Sequence, residues 1–266
     1  MLSEWQKRWN LTPDGAPLLT HSSHLQPVRT ETGPAMLKVA LSEEELRGHH
    51  LMVWWAGDGA ARVFRHEGPA LLMERLDDDQ PLGQLASSGM DDEATRLLCR
   101  AAARLHAPRL QPWPELPDLS RWFQGLAMAA PGGGLFAQCW DVAQDLLQFA
   151  QAPCPLHGDL HHGNVLHSAA RGWLAIDPKG LIGERSFDFA NLLCNPSLDV
   201  ARRPGRLARQ ATVIATEAGL DRTQLLRWVT AYAGLSAAWH LEDGQSPQAA
   251  ATLDVARLAL AEVGGG

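Results

Sequence analysis

The chain has 266 residues, 45% hydrophobic and 20% charged, an ordinary balance for a globular protein with one large domain or two lobes. Lys and Arg number 23 against 30 Asp and Glu, and the formal charge of −7 disfavours nucleic acid while suiting a cationic small molecule. No apolar run approaches the ~18 residues of a membrane span, Met1 starts no signal-peptide pattern, and Cys99, Cys139, Cys154 and Cys194 are widely spaced, so a cytoplasmic protein with reduced thiols is expected.

In chain order, residues 17–19, 25–28, 36–40, 61–64 and 70–73 read as short strands. Residues 43–55 intervene as a helix with an acidic start, placing Leu46, His50 and Val53 on one face. These elements predict a small first lobe over 1–76 and a larger second lobe over 77–266. The second begins after an acidic, Pro-ended junction and carries a helix at 92–106, with Ala94, Leu97, Leu98, Ala101 and Leu105 at helical spacing. Four prolines make 108–118 a loop, and Pro131-Gly132-Gly133-Gly134 interrupts the chain before a helix at 136–151. Helices follow at 204–219, 221–243 and 246–263, the middle one with a stripe of Leu225, Trp228, Val229, Tyr232, Leu235 and Trp239. The last three glycines read as a frayed tail.

The segment His157-Gly158-Asp159-Leu160-His161-His162-Gly163-Asn164 carries the chemistry, together with Trp173-Leu174-Ala175-Ile176-Asp177. A carboxylate precedes an amide by five residues, and a second carboxylate closes the next apolar run. Phosphoryl transfer needs such a set: a base for a hydroxyl and two hard oxygen ligands for magnesium. Residues 165–167 and 173–176 predict a hairpin whose pairing puts Asn164 and Asp177 opposite each other, with Asp159 one short loop away. Gly158 and Gly163 allow the tight path by reaching positive φ. Asp159 is then the base, Asn164 and Asp177 the metal ligands, and His157 orients the loop. Asp188 is read as a brace for that loop. The histidines at 157, 161, 162 and 167 match no zinc pattern.

This segment resembles the catalytic and metal-binding loops of the aminoglycoside phosphotransferase superfamily, relatives of protein kinases. Its wording is most similar to the streptomycin 6-kinase and hydroxyurea-resistance kinase family. Thr20-His21-Ser22-Ser23, Met36-Leu37-Lys38-Val39-Ala40, Ile176-Asp177-Pro178 and Gly234-Leu235-Ser236-Ala237-Ala238-Trp239 extend the likeness over nearly the whole chain. The resemblance implies a bilobal, protein-kinase-like α+β fold: an antiparallel-sheet lobe with one main helix, and a mostly helical second lobe. It implies ATP and Mg2+ as co-substrate and cofactor, and phosphorylation of the streptidine 6-hydroxyl of streptomycin as a resistance mechanism; a monomer is expected.

Period two puts Lys38 on the face of Met36 and Ala40, where its charge needs a partner from Glu43, Glu44 or Glu45. The resemblance gives Lys38 the α- and β-phosphates and Glu45 the lysine, with Glu44 as the alternative. No Walker loop or Gly-x-Gly-x-x-Gly occurs, so Ser22 and Ser23 are the phosphate-loop candidates; an ordinary polar turn competes with that reading. Backbone atoms from Glu74 to Leu76 are expected to meet adenine. Glu184, Glu242 and Asp243 are candidate acidic partners for a guanidinium-rich acceptor, with Trp239 as a flat wall. Rival readings are a kinase of hydroxyurea, choline, a sugar or an amino alcohol, and a catalytically silent binding protein.

Overall fold

A computed structural model of the chain describes residues 1–76, 79–149 and 151–264. The junction residues 77–78, residue 150 of the expected helix 136–151 and the last two terminal glycines lie outside the described residues, and Gly264 ends a helix instead of starting a tail.

Helix α1 (Leu2–Arg8) leads to strands β1 (Thr12–Pro13), β2 (Leu18–Leu19), β3 (Ser23–Thr30) and β4 (Gly33–Ala40). Helix α2 (Glu43–Trp55), β5 (Val63–Glu67) and β6 (Ala70–Glu74) follow. The strands make one antiparallel sheet in the order β1-β3-β4-β6-β5, with β2 also paired to β3. Alternation along β4 sorts its side chains. Ala35, Leu37 and Val39 are buried on one face with Val28, Ala70 and Leu72, beneath Trp5 and Trp9. The sequence reading omitted α1, although Leu2, Trp5 and Trp9 recur at helical spacing and Glu4 precedes Lys7 and Arg8 as the helix dipole favours.

Lys38 lies on the other face of the sheet, toward α2. That helix starts at Ser42, whose side chain accepts a hydrogen bond from the Glu45 N–H. Its buried face is Glu45, Gly48, His49, Leu51, Met52 and Trp55. The expected face is the outward one, with His50 and Val53 exposed and Leu46 half-buried. Two polar residues, Glu45 and His49, belong to the inward side, so only its second half, Leu51, Met52 and Trp55, is marked by hydrophobicity.

In the second lobe, α3 (Leu82–Leu85) and a π turn (Ala86–Met90) precede α4 (Asp91–Leu105), α5 (Leu119–Trp122), α6 (Gln124–Ala129) and α7 (Gly134–Gln148). Four short strands come next: β7 (Cys154–Leu156), β8 (Val165–Ser168), β9 (Gly172–Ala175) and β10 (Leu181–Gly183). The chain ends with α8 (Ser186–Cys194), α9 (Leu198–Ala201), α10 (Arg206–Ala218), α11 (Arg222–Glu242) and α12 (Ser246–Gly264). The stripe on α11 is core, packed against α7, α8 and α12. One large core runs from these helices up to Leu51, Met52, Trp55, Leu71 and Met73 of the first lobe. Among the described residues, no helix is long and apolar enough to cross a membrane.

Two small antiparallel pairs, β8–β9 and β7–β10, hold the loops between the lobes. Register in the first pair is Val165↔Ala175 through Ser168↔Gly172. Asn164 therefore faces Ile176, whose N–H donates to the Asn164 carbonyl at 2.9 Å. Asp177 lies one residue beyond that pairing, at φ 60°, because the strand turns there. The expected Asn164–Asp177 opposition is displaced by this one position.

Candidate active site

His157 is the keystone of the loop that carries Asp159. Its ring is buried, and Nε2 lies 2.9 Å from the Ile176 carbonyl, which fixes Nε2–H as the donor. The Nδ1 lone pair then accepts from the Asp159 N–H at 3.2 Å. Burial holds the ring's pKa below its ordinary value, so it stays neutral and serves both bonds. Below it, Asp188 on α8 accepts from the backbone N–H of His157 at 2.9 Å and of Gly158 at 2.8 Å, and meets His106 Nε2 at 2.8 Å. Burial alone would raise the Asp188 pKa, but the His106 bond and the charges around it bring it below the usual carboxylate value. Both residues sit where a brace for the loop belongs.

Gly158 has φ 82°, and a Cβ there would press on Leu181 and Lys179, so only glycine fits. Gly163 does not adopt a positive φ; its bare Cα instead makes room for the His161 ring.

Asp159 is held at both oxygens. Asn191 Nδ2 donates to Oδ1 at 2.9 Å, and Asn164 Nδ2 donates to Oδ2 at 3.2 Å and to the Asp159 carbonyl at 2.9 Å. Burial raises the Asp159 pKa above the ordinary carboxylate value, against the opposing pull of His161, His157 and Lys179. A carboxylate kept in place yet reluctant to ionise is suited to taking a proton. Asn191 was absent from the sequence reading, since nothing in the spacing shows that α8 folds back beneath residue 159.

Across the cleft, Lys38 Nζ pairs with both Glu45 on α2 and Asp177 on the loop after β9. Lys38 and Glu45 are buried, whereas the Asp177 side chain keeps 41% of its exposure. Burial would raise the Asp177 pKa, but the Lys38 charge and hydrogen bond hold it below the ordinary value, so it is ionised at neutral pH. The Asn164 amide nitrogen is spent on Asp159, which directs its oxygen elsewhere. An amide oxygen and a half-open carboxylate fit a hard divalent ion that completes its shell with water and phosphate oxygens.

The remaining candidates divide. Ser22 Oγ donates to Glu45 Oε1 at 3.0 Å, which places it at the lip of this cluster. Ser23 is buried and its N–H donates to Thr20 Oγ1 at 2.9 Å, so that amide closes the β2–β3 turn instead of facing a phosphate. The Glu74 N–H donates to the Arg62 carbonyl at 2.8 Å and its carboxylate pairs with Arg171, leaving Arg75 and Leu76 as the connecting positions beside it. Glu184 lies beyond the end of β10 paired to Cys154, away from Asp159, and accepts from Gln224 Nε2 at 3.1 Å. It is a fold residue, not part of this cleft. Trp239 stacks edge-on with Trp122 at 5.5 Å, and its indole nitrogen and Glu242 Oε1 both border Gly125. Glu242 and Asp243 are exposed at the end of α11. Lys179, also unanticipated, sits 3.1 Å from Glu44 and 3.8 Å from Glu45.

A family model described as aminoglycoside/hydroxyurea antibiotic resistance kinase matches residues 8–244. A streptomycin 3″-kinase of Klebsiella pneumoniae is 49% identical over 96% of this chain and 98% of its own. A streptomycin 6-kinase of Streptomyces glaucescens is 33% identical over 98% of this chain and 87% of its own. Among solved structures, aminoglycoside phosphotransferase APH(4)-Ia, in a ternary complex with AMP-PNP and hygromycin B, superposes with TM-score 0.73 at 13% identity, covering 99% of both chains. The two-lobed α+β architecture is thus kinase-like, and the chain belongs to the aminoglycoside/hydroxyurea antibiotic resistance kinase family.

Proposed function

We propose that this kinase transfers the γ-phosphoryl group of ATP to streptomycin, at the 3″-hydroxyl. One observation carries the chemistry: the Asp159 carboxylate, fixed by Asn164 and Asn191, shares a cleft with the Lys38–Asp177 pair. The acceptor hydroxyl gives its proton to Asp159 as its oxygen bonds to phosphorus and the bond to the ADP oxygen breaks. Lys38 offers a fixed positive charge to the phosphates, and Glu45 and Ser22 keep it in position. Magnesium, held by Asn164 and Asp177, would offset the triphosphate charge. Trp239, Glu242 and Asp243 are assigned to the acceptor side, where carboxylates and a flat ring suit guanidinium groups.

The choice of hydroxyl rests on identity: 49% to the streptomycin 3″-kinase against 33% and 30% to two streptomycin 6-kinases. That difference moves the assignment away from the 6-hydroxyl expected from the motif wording. The 6-hydroxyl stays as the second reading, favoured by the motif wording and by the two Streptomyces 6-kinases. Incubation with MgATP and streptomycin, followed by mass spectrometry and NMR of the product, tests both. Gain of one phosphate on the N-methylglucosamine ring is expected. Phosphate on streptidine selects the second reading, and no gain of mass refutes streptomycin as acceptor.

A further inference from the structure

Gly48 is a glycine inside a helix, on the sixth residue of α2, where alanine would be the better helix former. Its packing explains it. A Cβ at this position would collide with the Pro178 carbonyl oxygen and stand 3.3 Å from the Pro178 carbonyl carbon. Pro178 directly follows Asp177, a non-glycine residue in the left-handed region, a conformation that persists only when its surroundings impose it. Two further contacts tie the same loop to the same helix. Lys179 Nζ lies 3.1 Å from Glu44 Oε1, and Gly180 packs beneath the Arg47 carbonyl. The contacts close a ring. From Gly48 the path runs to Pro178 and Asp177, from Asp177 to Lys38, and from Lys38 to Glu45, one turn from Gly48 on α2.

We propose that Gly48 is a positioning residue for the metal-bearing loop: its missing side chain lets α2 approach closely enough for Glu45 and Asp177 to share Lys38. A methyl group there moves the helix or the loop, and Lys38 can no longer serve both carboxylates. The inference rests on the kinase reading, because it assigns Asp177 to magnesium.

The test is calorimetric titration of the wild-type protein and Gly48→Ala with ADP, in magnesium and in EDTA, alongside thermal melting and turnover. In Gly48→Ala, affinity for magnesium–ADP is expected to fall about tenfold or more, the range typical when a ligand's supporting contact is lost. The melting temperature is expected to drop, because a backbone carbonyl must give way, and ADP affinity in EDTA to fall less than affinity in magnesium, so the reading is the selective loss of the gain that magnesium gives. Val53→Ala, on the outward face of α2, is the control and should change none of these. Wild-type magnesium–ADP affinity in Gly48→Ala overturns the proposal. If Gly48→Ala does not fold, Lys179→Gln cuts a second anchor of the same loop, and an unaltered magnesium dependence there overturns it equally. Binding is read without acceptor, so a wrong acceptor leaves the test intact. A wild-type protein that binds no magnesium nucleotide refutes the kinase reading in the control itself, and this inference with it.

Discussion

Asp159 pays for its role in solvation: half-buried and held by two amides, it ionises less readily than a free carboxylate. Protonation removes the base, so activity is lost as pH falls through its raised pKa. The acid limb of kcat/KM should therefore lie above the ordinary value of 3.8. Asp159→Asn is expected to lower turnover by about 10²–10⁴-fold with nucleotide affinity retained; wild-type-like turnover refutes the assignment. Asp188 works in the opposite sense. Its folded pKa is depressed, so it contributes stability above 3.8 that disappears as pH falls through the lower folded value. Removing a buried charge that three donors depend on costs about 3–5 kcal/mol, and urea unfolding of Asp188→Ala should show that loss at pH 7. At this scale the sequence was informative where function fixes local spacing, as from Asp159 to Asn164. It was silent where partners meet only through the fold, as with Asn191 and Lys179.

Among the elements, α2 is the one that sequence periodicity read inside out. Its buried face combines Glu45 and His49 with Leu51, Met52 and Trp55, and the two polar residues in the first turns blur an apolar stripe that is clear only in the second half of the helix. The His49 ring is pushed down to about 3 by burial and the Lys38 charge, so it remains neutral in that position. The assignment is measurable. Leu51 is fully buried while Val53 is 42% exposed, so Leu51→Ala should destabilise by about 2–5 kcal/mol and Val53→Ala by about 0.5 kcal/mol or less. Equal losses in urea unfolding would refute this assignment of faces, and a larger loss for Val53→Ala would show that the opposite face is buried. The β8–β9 hairpin was legible because its strands are adjacent in sequence and its turn ends in Gly172. Strands β7 and β10 were not, being three residues each and joined only after the intervening hairpin.

For the molecule as a whole, the run of elements changes from sheet to helix after β6, but the packing does not divide there. Leu51, Met52, Trp55, Leu71 and Met73 share one core with α8 and α11, while only the outer face of the sheet has a core of its own. Hydrogen bonds add a seam: the Ala61 N–H donates to the Ala175 carbonyl at 2.9 Å, and the Ala175 N–H to Gly59 at 2.9 Å. From the turn of the β8–β9 hairpin, Arg171 reaches Glu74 and the Gly57 carbonyl. A first lobe cut loose would expose the inner face of its sheet and leave Lys38 and Glu45 without the second lobe's cover. Its free energy of folding is therefore inseparable from that of the rest. Urea unfolding followed by tryptophan fluorescence and by far-UV circular dichroism should give one coincident transition, with Trp5 and Trp9 reporting the outer core and Trp228 the inner. Two separated transitions, the earlier confined to the sheet, would show that the lobes fold independently and that the shared core contributes little to holding the cleft together.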